Sequence, residues 1–362
     1  MKICHLTSLH IRYDTRIFVK QCCSLAKIGH SVTLIVSDGK GDEIVNDVTI
    51  IDVGKAEGTK DRLLRVNKLI FSRAIELDAE YYFYHDPELS IQAVSLTNAG
   101  KKVIYDAHED SPRQYISNAP NKGVKTKLIS SFIQYLENRA ARKIHGMLTA
   151  TEGIKSRYDR YNANVEVVKN YPIVDELVND RMWEERRHQA CYIGGLRDTR
   201  GIIEIIRACH KSNIPLKLAG PWQPKEFQNI AENEEGWHNT EYLGFLNRRE
   251  IANLLAESRI GFLTLYKTPN HIHALPVKMY EYMVSGVPVI ASDIDLWQQI
   301  INDSNCGTCV DPQSVNDISG AIDYILGDTE RALHLSENGK KSVLEKYNWN
   351  IEIQKIFRAI NN

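Results

Sequence analysis

The sequence predicts an α/β protein of two doubly wound domains, each a mostly parallel sheet with helices packed against it. Three observations carry that expectation. Short β-branched or apolar runs alternate with longer amphipathic stretches along the chain. The series breaks once, in a polar segment after Asn170-Tyr171-Pro172, and then restarts. The length, 362 residues, exceeds what one hydrophobic core usually serves.

The first series opens as a βαβ unit, with a strand over Lys2–Thr7, a helix from Thr15 to Ile28 and a strand over Ser31–Val36. Gly29-His30 stops the helix, because glycine readily takes the left-handed conformation at a helix end. Further strands are expected at Thr49–Val53, Tyr81–Tyr84, Lys102–Tyr105, Gly146–Thr149 and Val165–Val168. The second series runs Ala190–Ile193, Leu216–Ala219, Thr240–Leu243, Ile260–Leu265, Pro288–Ala291 and Thr308–Val310, each followed by a helical pattern. Helices over Asp317–Leu326, Arg331–Tyr347 and Ile351–Ile360 close the chain. This sets an N-terminal Rossmann-like domain at 1–172, with the last helix, 348–362, packing back on it, and a C-terminal one at 173–347. Two such sheets facing each other would leave a cleft at their strand C-termini, where open α/β sheets bind ligands.

Composition excludes some functions. Lys and Arg total 45 against 46 Asp and Glu, for a formal charge of -1, so no global charge suggests nucleic acid. The start, Met1-Lys2-Ile3-Cys4-His5-Leu6, lacks a signal-peptide pattern, and no run of about 18 apolar residues occurs. A cytoplasmic protein is expected. Seven scattered cysteines suggest reduced thiols. Cys306 and Cys309 form a CxxC, but no second pair completes a tetrahedral zinc site, and no metal is expected.

Two segments could carry chemistry. Tyr192-Ile193-Gly194-Gly195-Leu196-Arg197-Asp198-Thr199-Arg200-Gly201 joins a strand to a helix. Its glycines permit close backbone approach, the helix start offers N–H groups, and Arg197 and Arg200 can neutralise phosphate; the plainer alternative is a tight turn with solvated arginines. His271-Ile272-His273-Ala274-Leu275-Pro276-Val277-Lys278-Met279-Tyr280-Glu281 is a polar loop opening a second helix, before Gly286-Val287-Pro288-Val289-Ile290-Ala291-Ser292. Glu281 could accept hydrogen bonds from sugar hydroxyls, or simply pair with Lys278 three residues earlier. Asp293-Ile294-Asp295 resembles a manganese-binding DxD only by coincidence of spacing.

On these segments the chain resembles glycosyltransferase family 4, the retaining GT-B enzymes of bacterial surface polysaccharide synthesis. The likeness extends to Asp14-Thr15-Arg16-Ile17-Phe18, Leu25-Ala26-Lys27-Ile28-Gly29-His30, His85-Asp86-Pro87-Glu88-Leu89 and Tyr105-Asp106-Ala107-His108-Glu109-Asp110. It implies a hexosyltransferase with no cofactor, a nucleotide-sugar donor (a UDP-sugar first, a GDP-sugar second), metal-independent transfer, and a saccharide or polyprenyl-diphosphate-linked acceptor. Lipopolysaccharide O-antigen, capsule or exopolysaccharide would be the product.

By the resemblance Glu281 would hold the ribose, Arg200 the diphosphate, and His108 would be the catalytic residue of the N-terminal domain. Gly194, Gly195, Gly220 and the loop Ala274, Leu275, Pro276, Val277 and Lys278 would complete the donor site. Asp14, Arg16, His85, Asp86 and Glu109 are acceptor-side candidates. Two positions depart from the family pattern: His273 replaces the first motif glutamate and Gly195 the motif arginine, whose missing charge Arg197 would supply. These departures motivate one alternative, an inactive accessory subunit of a partner transferase; a second alternative is a GT-B sugar-nucleotide epimerase, which would call for more carboxylates near the donor than the sequence offers.

Two stretches combine basic and apolar residues, as contact with anionic lipid at the inner membrane would need, or as core-facing helices with a solvated side would show. One holds Lys60, Arg62, Arg65, Lys68 and Arg73 among Leu63, Leu64, Leu69, Ile70 and Phe71. The other places Lys122, Lys125 and Lys127 ahead of Ile129, Phe132, Ile133 and Leu136.

Overall fold

The structure is a computed structural model and describes residues 1–119, 123–268, 271–272 and 274–361. The chain divides into two compact units, Met1–Asn170 with Asn350–Asn362, and Tyr171–Trp349.

The first unit holds an eight-stranded sheet. Its strands are β1 (Lys2–Leu6), β2 (Ser31–Val36), β3 (Glu43–Val45), β4 (Val48–Asp52), β5 (Tyr81–Tyr84), β6 (Lys102–Ala107), β7 (Gly146–Thr149) and β8 (Val165–Val167). The order is β3-β4-β2-β1-β5-β6-β7-β8, so the chain winds outward from β1 in one direction and then returns to pair β5 on its other side. All pairs are parallel except β3–β4. The central strands read as continuous apolar runs because both faces are covered; β5 is buried along its whole length. The reversal of winding beside β1 places the turns after β1, β5 and β6 at the crevice where open sheets bind ligands.

Strand β3 is absent from the sequence-based expectation. It is a three-residue antiparallel edge, too short for an alternation to register, and it closes on Asn46-Asp47, both with positive φ (51° and 61°). That turn chemistry, Val45-Asn46-Asp47-Val48, is the signal that could have found it. The first helical segment also differs in detail: it is wound as a wide π-type helix over Thr15–Cys22 before continuing as α-helix over Cys23–Lys27.

The second unit holds six parallel strands: β9 (Ala190–Ile193), β10 (Leu216–Ala219), β11 (Thr240–Tyr242), β12 (Ile260–Leu263), β13 (Val289–Ser292) and β14 (Gly307–Val310). Their order, β11-β10-β9-β12-β13-β14, reverses at β9/β12. The Ile202–Lys211 helix that follows β9 buries Ile202, Ile205, Ile206 and Cys209, the three-and-four spacing of one helical face. Each such isoleucine contributes about 1.5–3 kcal/mol by leaving water.

The closing helix, Trp349–Asn361, packs within the first unit from Asn350 onward. Glu352 accepts the Lys169 N–H at 2.8 Å, the Lys355 ammonium donates to the Val167 carbonyl at 3.0 Å, and Ile356, Ala359 and Ile360 are buried. Among the described residues no helix is long and apolar enough to cross a membrane.

Candidate active site

In the second unit the turn after β9 is shaped by glycine. Gly194 sits at φ 133° and Gly220, after β10, at φ 134°. A Cβ on Gly220 would overlap the Gly194 carbonyl, so the two backbones can meet only as glycines. Gly194 N–H donates to the Ala219 carbonyl at 2.8 Å. Gly201, at φ 67°, lies where a Cβ would stand 2.5 Å from the Thr264 carbonyl, and it feeds the chain into the Ile202–Lys211 helix. The backbone here forms a close-packed floor of strand ends and turns.

Above that floor stand three cations. The Arg197 guanidinium donates to the Gln223 side-chain oxygen. The Nε of Arg197 and the Nε of Arg200 are buried without a hydrogen-bond partner. The Lys278 ammonium lies 3.2 Å from the Tyr192 hydroxyl and 4.3 Å from the centre of its ring. Among the described residues none of the three forms an ion pair. Burial first, and then the charge of Arg200, brings the Lys278 ammonium down to about 7. His271 is likewise lowered, by burial and then, after an opposing hydrogen bond to the Tyr266 carbonyl, by Arg200, Arg197 and Lys278. Cations gathered without an ion-pair partner among the described residues form a site suited to an anion.

Lys278 and Glu281 belong to the Val277–Val284 helix, whose N-terminus is preceded by Pro276 and has no side-chain cap. Its first N–H groups therefore add their dipoles to the same region. Met279, Tyr280, Tyr282 and Met283 bury the opposite face. Tyr282 anchors the helix to the sheet, its hydroxyl accepting from Ile193 N–H and donating to the Phe262 carbonyl, each at 3.2 Å. Trp297 Nε1 donates to the Ala274 carbonyl at 2.7 Å and holds the preceding loop.

Glu281 does not pair with Lys278. Its Oε1 accepts from Arg248 Nη1 at 2.7 Å, and Arg248 also bonds Glu176 at 2.9 Å. No sequence pattern pointed to Arg248; the local signal there, Asn247 with Glu250 as a capping box, identifies only a helix start. Leu275 and Val277 are half-buried beside this helix start, and Gly195 faces Gln223. His273 lies outside the described residues. Asp293 is ion-paired with Lys267 at 2.7 Å.

The strand ends of the first unit are built in the opposite way, with each charge answered. Asp86 accepts from Thr7 Oγ1 at 2.9 Å, Ser8 N at 2.6 Å and Leu9 N at 3.3 Å, and faces His10 Nε2 at 3.3 Å. Asp106 accepts from Arg16 Nε and Nη2 at 2.9 and 2.7 Å and from Gln21 at 2.6 Å. His85 bridges Asp106, 3.2 Å from its Nδ1, and His5, 3.0 Å from its Nε2. Burial pushes the Asp106 carboxyl up, but Arg16 and His85 hold it well below the usual range.

Four of the acceptor-side candidates are thus engaged by partners within the first unit. Arg16 is buried and bidentate on Asp106, with Nη1 on the Val168 carbonyl at 3.0 Å, so its guanidinium braces the sheet instead of meeting a ligand. Asp14 caps the first helix, accepting from Arg16 N and Ile17 N at 2.8 and 2.9 Å. His85 and Asp86 are buried supports. Glu109 is exposed. His108 is half-buried on the turn after β6, its Nδ1 3.3 Å from the Asp106 carbonyl and its ring edge-on to His10 with centres 4.9 Å apart. Burial lowers it, so its imidazole is neutral at pH 7. His10, which sequence reasoning missed, shifts the other way: burial lowers it, but Asp14 and Asp86 outweigh that.

His85, Asp106 and His108 could offer three metal-ligand atoms within 4.8 Å of one another. Both Asp106 oxygens are already held by a guanidinium, whose charge opposes a cation there. The Cys306 and Cys309 thiols are free and pushed up to about 12 by burial, which suits inert core residues.

The two basic-apolar stretches also diverge. Arg62, Arg65 and Arg73 are ion-paired with Glu88, Asp61 and Glu76. The Val124–Ala141 helix buries only Ser130, Glu137, Ala140 and Ala141, and exposes Val124, Leu128, Ile129, Phe132 and Tyr135. Lys122 lies outside the described residues.

Residues 174–342 match the family model described as glycosyl transferases group 1. An uncharacterized glycosyltransferase of Methanocaldococcus jannaschii is 28% identical over 163 residues, 44% of this chain and 40% of that protein. O-antigen chain mannosyltransferase B of Escherichia coli is 26% identical over 149 residues, 38% of this chain and 37% of that protein. The matches thus span well under half the length of these curated relatives. Among solved structures, sucrose-phosphate synthase of Thermosynechococcus elongatus has a TM-score of 0.74 at 15% identity, covering 99% of this chain and 98% of that one. HepE of Anabaena, in complex with UDP and glucose, has a TM-score of 0.73 at 13% identity, covering 100% and 99%. The fold is that of the GT-B glycosyltransferase structures, and residues 174–342 carry a glycosyl transferases group 1 domain.

Proposed function

We propose that the chain is a retaining glycosyltransferase that moves a hexose from a nucleotide-sugar onto a saccharide acceptor, lipid-linked, in bacterial surface polysaccharide synthesis. The observation that carries this reading is the set of three cations without carboxylate partners, Arg197, Arg200 and Lys278, at the uncapped start of the Val277–Val284 helix. A nucleoside diphosphate is the ligand they suit: two guanidiniums and an ammonium answer its charge, and helix N–H groups take its oxygens. The same groups stabilise the diphosphate as it leaves, so transfer needs no metal. Glu281, fixed by Arg248, presents Oε2 to the ribose hydroxyls.

A UDP-sugar is the first candidate donor, in line with the UDP bound to the Anabaena protein, and a GDP-sugar the second. The likeness to an O-antigen mannosyltransferase supports the surface-polysaccharide assignment. His108 is the catalytic residue on the acceptor-binding unit, neutral and able to accept or donate a hydrogen bond. The exposed apolar residues of the Val124–Ala141 helix, beside Lys125 and Lys127, support peripheral contact with an anionic membrane surface.

The test is calorimetric titration of the full chain with UDP-, GDP-, ADP- and dTDP-linked hexoses. Binding of one base class, lost in Arg200→Ala, is expected; binding by none of them contradicts the reading and favours an accessory subunit.

A further inference from the structure

A cavity of about 490 Å³ opens in the first unit among the Ser111–Asn118, Val124–Ala141 and Glu152–Tyr158 helices. Its chemistry is set by Asp110, Arg113, Gln134, Arg157 and Arg160. Arg157 is divided between Asp110, at 3.0 Å, and the buried Glu137, and its Nε is buried without a partner. Arg113 reaches the other Asp110 oxygen at 3.3 Å while its side chain is 82% exposed. Arg160 lies over the Tyr161 ring at 4.8 Å and forms no ion pair among the described residues. Three guanidiniums face two carboxylates, one of which, Glu137, is buried behind the wall and also holds the Tyr105 hydroxyl. The cavity therefore carries a positive charge that the protein does not answer.

Its position matters as much as its charge. Asp110, which ties Arg113 and Arg157, is two residues beyond His108, so their Cα atoms lie within about 7.6 Å. The cavity thus borders the turn that carries His108. We propose that this cavity recognises an anionic group, phosphoryl or carboxylate, on the acceptor saccharide, with Arg113 and Arg160 as the direct ligands and Gln134 as a neutral hydrogen-bonding partner. Guanidinium pairs suit both planar carboxylates and phosphoryl oxygens. The inference rests on the glycosyltransferase reading for the word acceptor; the anion site itself does not.

The experiment titrates the full chain, with its donor site saturated by UDP, against glucose 1-phosphate, glucuronate and glucose. One anionic sugar is expected to bind at least ten-fold more tightly than glucose, and which one does so separates a phosphoryl from a carboxylate ligand. Arg113→Ala/Arg160→Ala should lose that preference, and Arg160→Glu, a change at an exposed position, should lose it too with the melting temperature kept. Equal binding of glucose, or an unchanged anionic affinity in both variants, overturns the proposal. A chain that binds none of UDP, GDP, ADP and dTDP but keeps the arginine-dependent preference refutes the glycosyltransferase reading and leaves the anion site standing.

Discussion

The two units place similar charged residues at the ends of similar sheets and use them differently. In the first, Arg16 is spent on Asp106, and Asp86 gathers hydroxyl and N–H donors around it. In the second, Arg197, Arg200 and Lys278 form no ion pair among the described residues. A buried pair that loses one partner strands a charge, whereas an unanswered cluster is relieved by losing one. Paired charges at a strand end thus mark support, and unpaired ones mark a place for a ligand.

The largest expected effect breaks the paired side. Arg16→Met leaves Asp106 buried without its guanidinium and should destabilise the first unit by about 3–5 kcal/mol, read by denaturant unfolding. On the unpaired side the sign differs. Arg200→Ala should weaken nucleotide binding by about 1.5–3 kcal/mol, the range for a hydrogen bond to a charged group, while folding stability stays unchanged or rises.

Replacing site residues by role sharpens the contrast. Glu281→Ala should weaken donor binding, with Arg248 left on Glu176 alone, and His108→Ala should lower turnover with donor affinity kept; the reverse pattern in kcat and donor Kd would reassign both residues. Lys278 supplies a pH signature. Its ammonium is held at about 7 against an ordinary 10.5, so the unfolded chain binds more protons between those values, and stability rises with pH across that window. Nucleotide binding needs the charged form, so affinity should be highest below about pH 7 and fall above it, and Lys278→Arg should flatten the profile. The smallest effect belongs to Cys306→Ser, a buried free thiol that belongs to neither charged cluster, where activity should be unchanged.

Much of the fold was legible because strands buried on both faces leave uninterrupted apolar runs, as in Tyr81–Tyr84 and Val289–Ser292. Glu43–Val45 was not, since a short solvent-facing edge has no such run. At the sites the sequence showed which residue types stood at strand ends but not which were already paired. Arg16 and Arg200 look alike in sequence, each near the start of a helical segment that follows the first strand of its unit. Asp106, 90 residues from Arg16 along the chain, commits the first; among the described residues nothing comparable reaches the second. Arg248 was invisible for the same reason, being 33 residues from Glu281 along the chain.

The most direct test is to measure the UDP affinity of the full chain beside that of Arg200→Ala and Arg16→Lys, with the stability of each. The account predicts UDP binding by the wild type, at least ten-fold weaker binding at unchanged stability in Arg200→Ala, and lost stability with near-normal UDP affinity in Arg16→Lys. UDP affinity that is indifferent to Arg200, or that depends on Arg16 without a fall in stability, would contradict it.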